Sequence, residues 1–512
     1  MTKKTIINKF LCIHGHFYQP PRENPYTGEI PLEESAAPFH DWNERIFQEC
    51  YKPNTEAIIV DSKGKVKERV NNYEYINFNF GPTLAQWIIK EHKTTFDKII
   101  EADKKSIKHY HGHGNAIAQV FNHIIMPLAN RRDKITQVRW GVRFFEKYFE
   151  RKPESIWLAE TGCNYETIEV LIEEGIKYII LDPSQSLRIR KIGGKEWIDV
   201  SDNSINPKQP YRCYLKNSKK YIDIFFYDGP ISKSIAFDDI AFSSEKLMSR
   251  IEQATGMETE KPQLISIAVD GETFGHHKKF SDRTIAYLLK YLAKNRGFKV
   301  TNYGEFLEMY PPEYEVELKP GELDEGTSWS CMHGVGRWKK DCGCSTGGGP
   351  GWNQKWREPL RNSLNGLRDK LTVIFELYGR GLLKDVWEAR NDYIELILDT
   401  SSEAEWKYFE RNASKVLTKE EKELCINLLE MERLALYMFT SCGWFFNDLD
   451  GLETKKILQY AKRALDIGEK ISGLDLKTDF LEELSKAKSN VSAPGTTELL
   501  NGNQIFLNLK NE

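Results

Sequence analysis

Along the chain up to about Pro311, short apolar runs recur. Each ends in a polar or charged residue and is followed by a stretch of helical periodicity. Lys9–Ile13 runs into His14, Ser155–Ala159 into Glu160, Tyr178–Leu181 into Asp182, Tyr221–Tyr227 into Asp228 and Leu264–Val269 into Asp270. Runs that are apolar throughout, rather than alternating, predict parallel strands buried on both faces with helices between them. Polar residues at the C-terminal ends of such strands are where an α/β barrel carries its chemistry. The bland alternative is that each of them only caps the helix that follows. Past Pro311-Pro312 the pattern changes. Residues 313–358 are irregular and rich in Gly, Trp and Cys. After them Leu360, Leu364, Leu367, Leu371 and Ile374 mark one helical face, as do Leu424, Leu428, Met431, Ala435 and Met438, and then Ile457, Ala461 and Ala464; these stripes are core positions. The expected architecture is α/β, an incomplete seven-stranded TIM-like (β/α) barrel followed by a mainly α-helical C-terminal domain. The expected boundaries are 1–312 for the barrel, 313–358 for the loop segment, 359–490 for the helical domain and 491–512 for a tail.

Composition narrows the function classes. Among 512 residues, 35 Gly and 20 Pro are ordinary usage and exclude collagen-like and low-complexity chains. A formal net charge of −3 argues against nucleic-acid binding by bulk charge. Nine cysteines, an odd number spread thinly, suit reduced thiols and a cytoplasmic setting better than a disulfide framework. Asn8, Lys9 and His14 interrupt the N-terminal apolar stretch, so neither a signal peptide nor a membrane span is expected.

Two carboxylates stand out, Glu160 in WLAETG and Asp270 in AVDGETFGHH. Two carboxyls facing each other across a sugar linkage can divide the work of cleavage. One attacks or stabilises the oxocarbenium ion, and the other passes a proton to the leaving oxygen and takes one back. Glu272, two residues on, competes with Asp270 for the second role. Histidines gather in three segments: His14 and His16; His109, His111, His113 and His123; His276 and His277. At a barrel mouth neutral imidazoles bind sugar hydroxyls, with His14, His16, His123 and His276 the candidates. A metal reading stays open, with His109, His111 and His113 on one strand face and Asp270 joining them. Trp329 and Trp352, in glycine-rich loops, are candidates for stacking on sugar rings, and Asp228 and Arg22 for hydroxyl contacts. Cys331, His333, Cys342 and Cys344 are four donors suited to Zn, but their C-x-H and C-x-C spacing is tighter than usual. No cofactor is expected.

These blocks resemble glycoside hydrolase family 57, retaining enzymes of α-glucans that include amylases, 4-α-glucanotransferases and branching enzymes. HGHFYQPPREN resembles the family's His-Gln-Pro block, and GNAIAQVFNHIIMPL the block in which a His, here His123, precedes Pro-Leu. WLAE resembles the nucleophile block and DGETFGHH the acid/base block. The resemblance implies Glu160 as nucleophile, Asp270 as general acid/base, a seven-stranded TIM-like barrel, no catalytic metal, and an α-glucan or maltooligosaccharide as substrate. Phe17-Tyr18 separates His16 from Gln19-Pro20, which leaves both His14 and His16 as candidates for the block's histidine, and Ala159 stands where Pro is common. The last third, with SWSCMHGVGRW and TSCGWFFND, resembles an uncharacterised domain that often follows such barrels. The rival readings are a metal-dependent polysaccharide deacetylase or α-mannosidase on a related barrel, and a non-catalytic α-glucan-binding protein.

Overall fold

The apolar runs become the parallel strands of a curled sheet in a computed structural model of the chain, which describes residues 8–256, 261–492 and 498–509. The strands are β1 (Lys9–Phe17), β2 (Asn77–Phe80), β3 (Ala116–Gln119), β4 (Ile156–Trp157), β5 (Tyr178–Leu181), β6 (Tyr221–Phe226) and β7 (Gln263–Asp270). Ladders join them in the order β7-β1-β2-β3-β4 and, separately, β5-β6. A parallel bridge between Ser155 and Tyr178 links β4 to β5. The Asp228 N–H donates to the Ser266 carbonyl at 2.7 Å, linking the end of β6 to β7. The circuit thus passes through seven parallel strands with two thin seams, the incomplete TIM-like barrel expected from the sequence. A mixed extension from β6 through Tyr211–Tyr214 (antiparallel), Tyr314–Leu318 (parallel to it) and Ser186–Lys191 (antiparallel) was not foreseen.

Register decides which side chains meet. His14 pairs with Asn77 and His16 with Asn79 across β1 and β2, His16 pairs with Asp270 across β1 and β7, and Gln119 pairs with Trp157. Residues two apart on a strand share a face, so these positions form one layer. Gly271, just after β7, has to be glycine for a packing reason: a Cβ there would stand 2.4 Å from Phe17 Cδ1.

The chain folds as two compact units. The first comprises Met1–Gln19, Leu32–Val120 and Phe145–Pro320; the second comprises Pro20–Pro31, Phe121–Phe144 and Gly321–Glu512. In the second unit, α1 (Arg357–Gly379), α2 (Lys419–Tyr437) and α3 (Leu452–Ser472) pack against one another. They bury Leu360, Leu364, Leu367 and Leu371, then Leu428 and Met431, then Ile457 and Ala461. At the centre Arg390 is buried, its Nη1 donating to Asp133 Oδ1 and Glu432 Oε2, both at 2.8 Å. The segments 20–31 and 121–144 join this unit through such long-range contacts, which no break in composition announces. Beyond Val491, where a tail is expected, Leu499–Asn501 pairs with Lys488–Ser492, and Gly502–Leu507 is a helix with an Asn501/Gln504 capping box. No helix among the described residues is long and apolar enough to cross a membrane.

Candidate active site

Glu160 follows β4 and Asp270 ends β7, strands on opposite sides of the seven-strand circuit. Parallel strands put both carboxyls at the same mouth. Asp270 is exposed there, yet protein surrounds it closely enough to disfavour its charged form. That desolvation, and behind it the negative charge of Glu160, raises its pKa to about 7. The two carboxyls are therefore within electrostatic reach of each other.

The turn that carries Glu160 is unusual. Glu160 and Thr161 both adopt the left-handed region, with φ of 56° and 51°. Neither is glycine, and each such residue stores on the order of 1–3 kcal/mol. Gln185 holds the turn. The Thr161 hydroxyl donates to Gln185 Oε1 at 2.8 Å, and Gln185 Nε2 donates to the Thr161 carbonyl at 2.9 Å. Gln185 Oε1 also accepts from the Asp182 N–H at 3.0 Å. Thr161 and Gln185 are both buried.

Around the carboxyls the layer set by strand register is polar and aromatic. His14 Nδ1 lies 2.6 Å from Asn77 Oδ1, its Nε2 lies 3.0 Å from Asn79 Oδ1, and Asn79 Nδ2 donates to Gln119 Oε1 at 2.7 Å. Burial lowers the His14 pKa to about 4, so the ring is neutral at pH 7. Trp157 stacks on both imidazoles, with centroids 4.6 Å from His14 and 5.0 Å from His16. At the ends of β5 and β6 the Tyr227 hydroxyl donates to Asp182. Burial raises the pKa of Tyr227 first, followed by the charges of Asp182 and Asp270, which places the phenol in the same cluster. Tyr227, Asp182, Gln185 and Trp157 were missed as site residues; only the strand-end position of Asp182 was visible in the sequence.

Glu272 is separated from Asp270 by its surroundings. It is 6% exposed, and its Oε1 accepts from the Tyr18 N–H at 3.0 Å and from the Tyr51 hydroxyl at 2.6 Å. It is a buried anchor, not a group facing the mouth. Asp228 caps the next helix, its Oδ1 accepting from the Ile231 N–H at 3.0 Å. His276 Nδ1 pairs with the Glu49 carboxylate.

The other candidates belong to the second unit. His123 is buried there with Nδ1 2.6 Å from Ser441 Oγ, and burial lowers its pKa to about 3. Arg22 is buried, and its backbone N–H donates to Glu23 Oε2 at 3.1 Å. Trp329 is half-buried. Trp352 is 38% exposed and packs over Gly348 and Gly349.

One expectation is corrected. His109, His111 and His113 do not share a strand face. His109 ends a helix and the other two lie in the turn before β3. His111 Nδ1 pairs with Glu305 at 2.6 Å and His113 Nδ1 with Glu154 at 2.8 Å. They precede a parallel strand whereas Asp270 ends one, so they sit at the other end of the barrel and Asp270 cannot join them on a metal.

Comparison with known proteins bears on family and fold. The family model described as Glycosyl hydrolase family 57 matches residues 6–319, and one described as Domain of unknown function (DUF3536) matches 352–510. Alpha-amylase 1 of Dictyoglomus thermophilum is 23% identical over 201 residues, 39% of this chain; the match spans 26% of that protein's length. Among solved structures, an exo-type maltose-forming amylase from a Pyrococcus species superposes with TM-score 0.68 at 17% identity, over 93% of this chain and 83% of that one. A family 57 branching enzyme from Thermococcus kodakaraensis gives 0.54 at 15%, over 95% and 93%. At these identities the structural likeness carries the fold.

Proposed function

The chain belongs to glycosyl hydrolase family 57, and on that premise we propose that it is a retaining glycosidase or transglycosylase of α-1,4-glucans, of the amylase or 4-α-glucanotransferase type. The observation that supports the reading is that Glu160 and Asp270 stand at the ends of β4 and β7 at one mouth, near enough for the charge of Glu160 to help raise the Asp270 pKa to about 7. The named relatives, an α-amylase, a maltose-forming amylase and a branching enzyme, support the substrate class.

In this mechanism Asp270 donates its proton to the glycosidic oxygen as Glu160 attacks the anomeric carbon. The C–O bond to the leaving sugar breaks, and a glycosyl ester forms on Glu160. Esterification removes the negative charge of Glu160, one of the two causes that raise the Asp270 pKa. Asp270 then becomes the stronger acid, and its carboxylate suits the second step: taking a proton from the acceptor hydroxyl as that oxygen attacks the anomeric carbon and the bond from that carbon to the Glu160 carboxylate breaks. Water as acceptor gives hydrolysis, and a sugar hydroxyl gives transfer. The neutral His14 and its neighbour His16, both stacked on Trp157 and His16 in register beside Asp270, supply hydroxyl contacts and an aromatic floor.

The test is incubation with maltooligosaccharides and with glycogen, followed by product analysis and by NMR of the first-formed anomer. The expected result is shortened or redistributed chains of α configuration, with Glu160→Gln and Asp270→Asn each losing at least about 10³-fold in kcat while remaining folded. A first-formed β anomer, no conversion of any α-glucan, or near-normal turnover by either variant would overturn the proposal.

A further inference from the structure

We propose that Cys331, His333, Cys342 and Cys344 form a tetrahedral zinc site, a structural one that fixes the loop between Gly321 and Trp356 of the second unit. One donor atom from each of the four residues lies within 4.8 Å of all the others. The Cys331 sulfur is 3.9 Å from those of Cys342 and Cys344, and the Cys344 sulfur is 3.6 Å from His333 Nδ1. Zn–S bonds of about 2.3 Å and a Zn–N bond of about 2.0–2.1 Å at tetrahedral angles require S···S edges of about 3.8 Å and S···N edges of about 3.6 Å. The three separations given above match those edges, and the remaining ones lie within 4.8 Å, close enough for all four donors to reach one zinc ion. A disulfide accounts for less. It would join two of the three sulfurs at about 2.05 Å and leave the third thiol and the imidazole gathered for no reason.

The backbone is shaped for four donors on one point. Gly343, between Cys342 and Cys344, has φ of 83°, a conformation that reverses the chain within a single intervening residue. That reversal lets a C-x-C spacing close on one centre. Gly336 lies where the two halves of the site meet, and a Cβ there would stand 3.1 Å from Cys342 Cβ and 3.6 Å from His333 Cβ. The Cys331 sulfur faces the backbone N–H groups of His333 and Arg337, donors that suit a thiolate.

Charge gives an independent argument. Three thiolates, a neutral imidazole and Zn²⁺ sum to one negative charge. Arg357 is fully buried beside the site, with Nη1 donating to the Cys344 carbonyl at 2.8 Å and Nη2 to the Phe446 carbonyl at 3.3 Å. Arg337, also buried, lies over the Phe445 ring at 4.5 Å. Neither guanidinium forms an ion pair with a carboxylate among the described residues. Buried cations need a compensating charge, and an anionic metal centre provides one. The stretch from Gly321 to Trp356 holds two short 3₁₀ turns, Glu322–Asp324 and Gly336–Trp338, as its helical elements, so metal coordination is its natural staple. Four protein donors close the coordination shell, which marks the site as structural. On binding, three Zn–S bonds and one Zn–N bond form, the three thiol protons pass to solvent, and no electrons are exchanged.

The test uses the full-length protein purified without chelator. Elemental analysis is expected to find about one zinc per chain. Protein stripped with chelator and titrated with Co²⁺ is expected to develop the intense visible bands of a tetrahedral cobalt thiolate, and Zn²⁺ then erases them. The Cys331→Ser/Cys344→Ser variant should hold less than about a tenth of the wild-type zinc, whereas His333→Cys, which keeps four zinc ligands, should retain it. Should the serine variant fail to fold, the cobalt titration of the wild-type protein decides. The proposal is overturned by wild-type protein that contains no zinc and takes none up, by stoichiometric iron in its place, by zinc retained in the serine variant, or by a peptide map linking Cys331 to Cys342 or Cys344 through a disulfide.

Discussion

Glu272→Gln separates the two carboxyls of the DGET segment by a measurement of stability. In the folded chain burial raises the Glu272 pKa to about 8 from 4.5, with the charge of Asp270 adding to it against the hydrogen bond from Tyr51. Once unfolded, the side chain ionises near the ordinary value. Below about pH 4.5 both states hold the proton and Glu272 costs nothing. As pH rises toward about 8 the unfolded state releases its proton while the folded state keeps it, so wild-type stability falls through that window. At 1.36 kcal/mol per unit, a gap of this size is worth about 4–5 kcal/mol, an upper bound for one group. Glutamine keeps an oxygen for the Tyr18 N–H and the Tyr51 hydroxyl and does not titrate. Its NH₂ group adds a cost of about 1–3 kcal/mol if it finds no acceptor, and that cost does not depend on pH. The informative quantity is therefore the slope. Thermal unfolding of both proteins by circular dichroism, from about pH 5 to about pH 9, should show the Tm of the variant gaining on the wild type with rising pH. At about 2–4 °C per kcal/mol the total gain is on the order of 10 °C. A difference in Tm that stays constant across the range would refute the reasoning and show that Glu272 is ionised in the folded chain.

Two further predictions concern the mouth. Because Asp270 has to hold a proton to serve as the acid, and its pKa is about 7, kcat/KM should fall above about pH 7; a profile still flat at about pH 9 would assign the proton to another group. Gln185→Leu leaves Thr161 and the Asp182 N–H without their partner and frees the left-handed turn, so kcat should drop by about 10²-fold with KM nearly unchanged; an equal rise in KM would show that Gln185 acts on binding, not on the placing of Glu160.

The barrel was legible because strands covered on both faces have no need to alternate. The runs ending at His14, Glu160, Asp182, Asp228 and Asp270 read as continuous apolar stretches. For Asp228 the bland alternative describes one of its oxygens, since it caps the helix beginning at Gly229. What the sequence could not show is pairing over long separations. The clamp between Gln185 and Thr161, the hydroxyl of Tyr227 on Asp182, and Trp157 beneath two histidines all depend on strand order and register. The left-handed pair at Glu160 and Thr161 carries no glycine to announce it. His109, His111 and His113 have the spacing of a strand face but belong to a helix end and a turn, where Glu305 engages His111 and Glu154 and Glu308 engage His113. The C-x-C spacing of the cysteine segment is tighter than zinc motifs usually have, and the sequence does not show that Gly343 turns with φ of 83° between the two thiols.

The threading of the chain bears on how it is made. The backbone passes from one unit to the other at 19/20, 31/32, 120/121, 144/145 and 320/321. During synthesis, Trp140 and Asp133 leave the ribosome long before Arg390 and Asn391, whose carbonyls accept from the Trp140 indole and whose guanidinium binds Asp133. Trp140 and Asp133 gain these partners only after more than two hundred further residues are added, and a fragment starting at Gly321 would bury the Arg390 charge without Asp133. The nascent polypeptide therefore cannot finish its two halves in order of translation; the second is completed only when its early and late pieces are finally brought together.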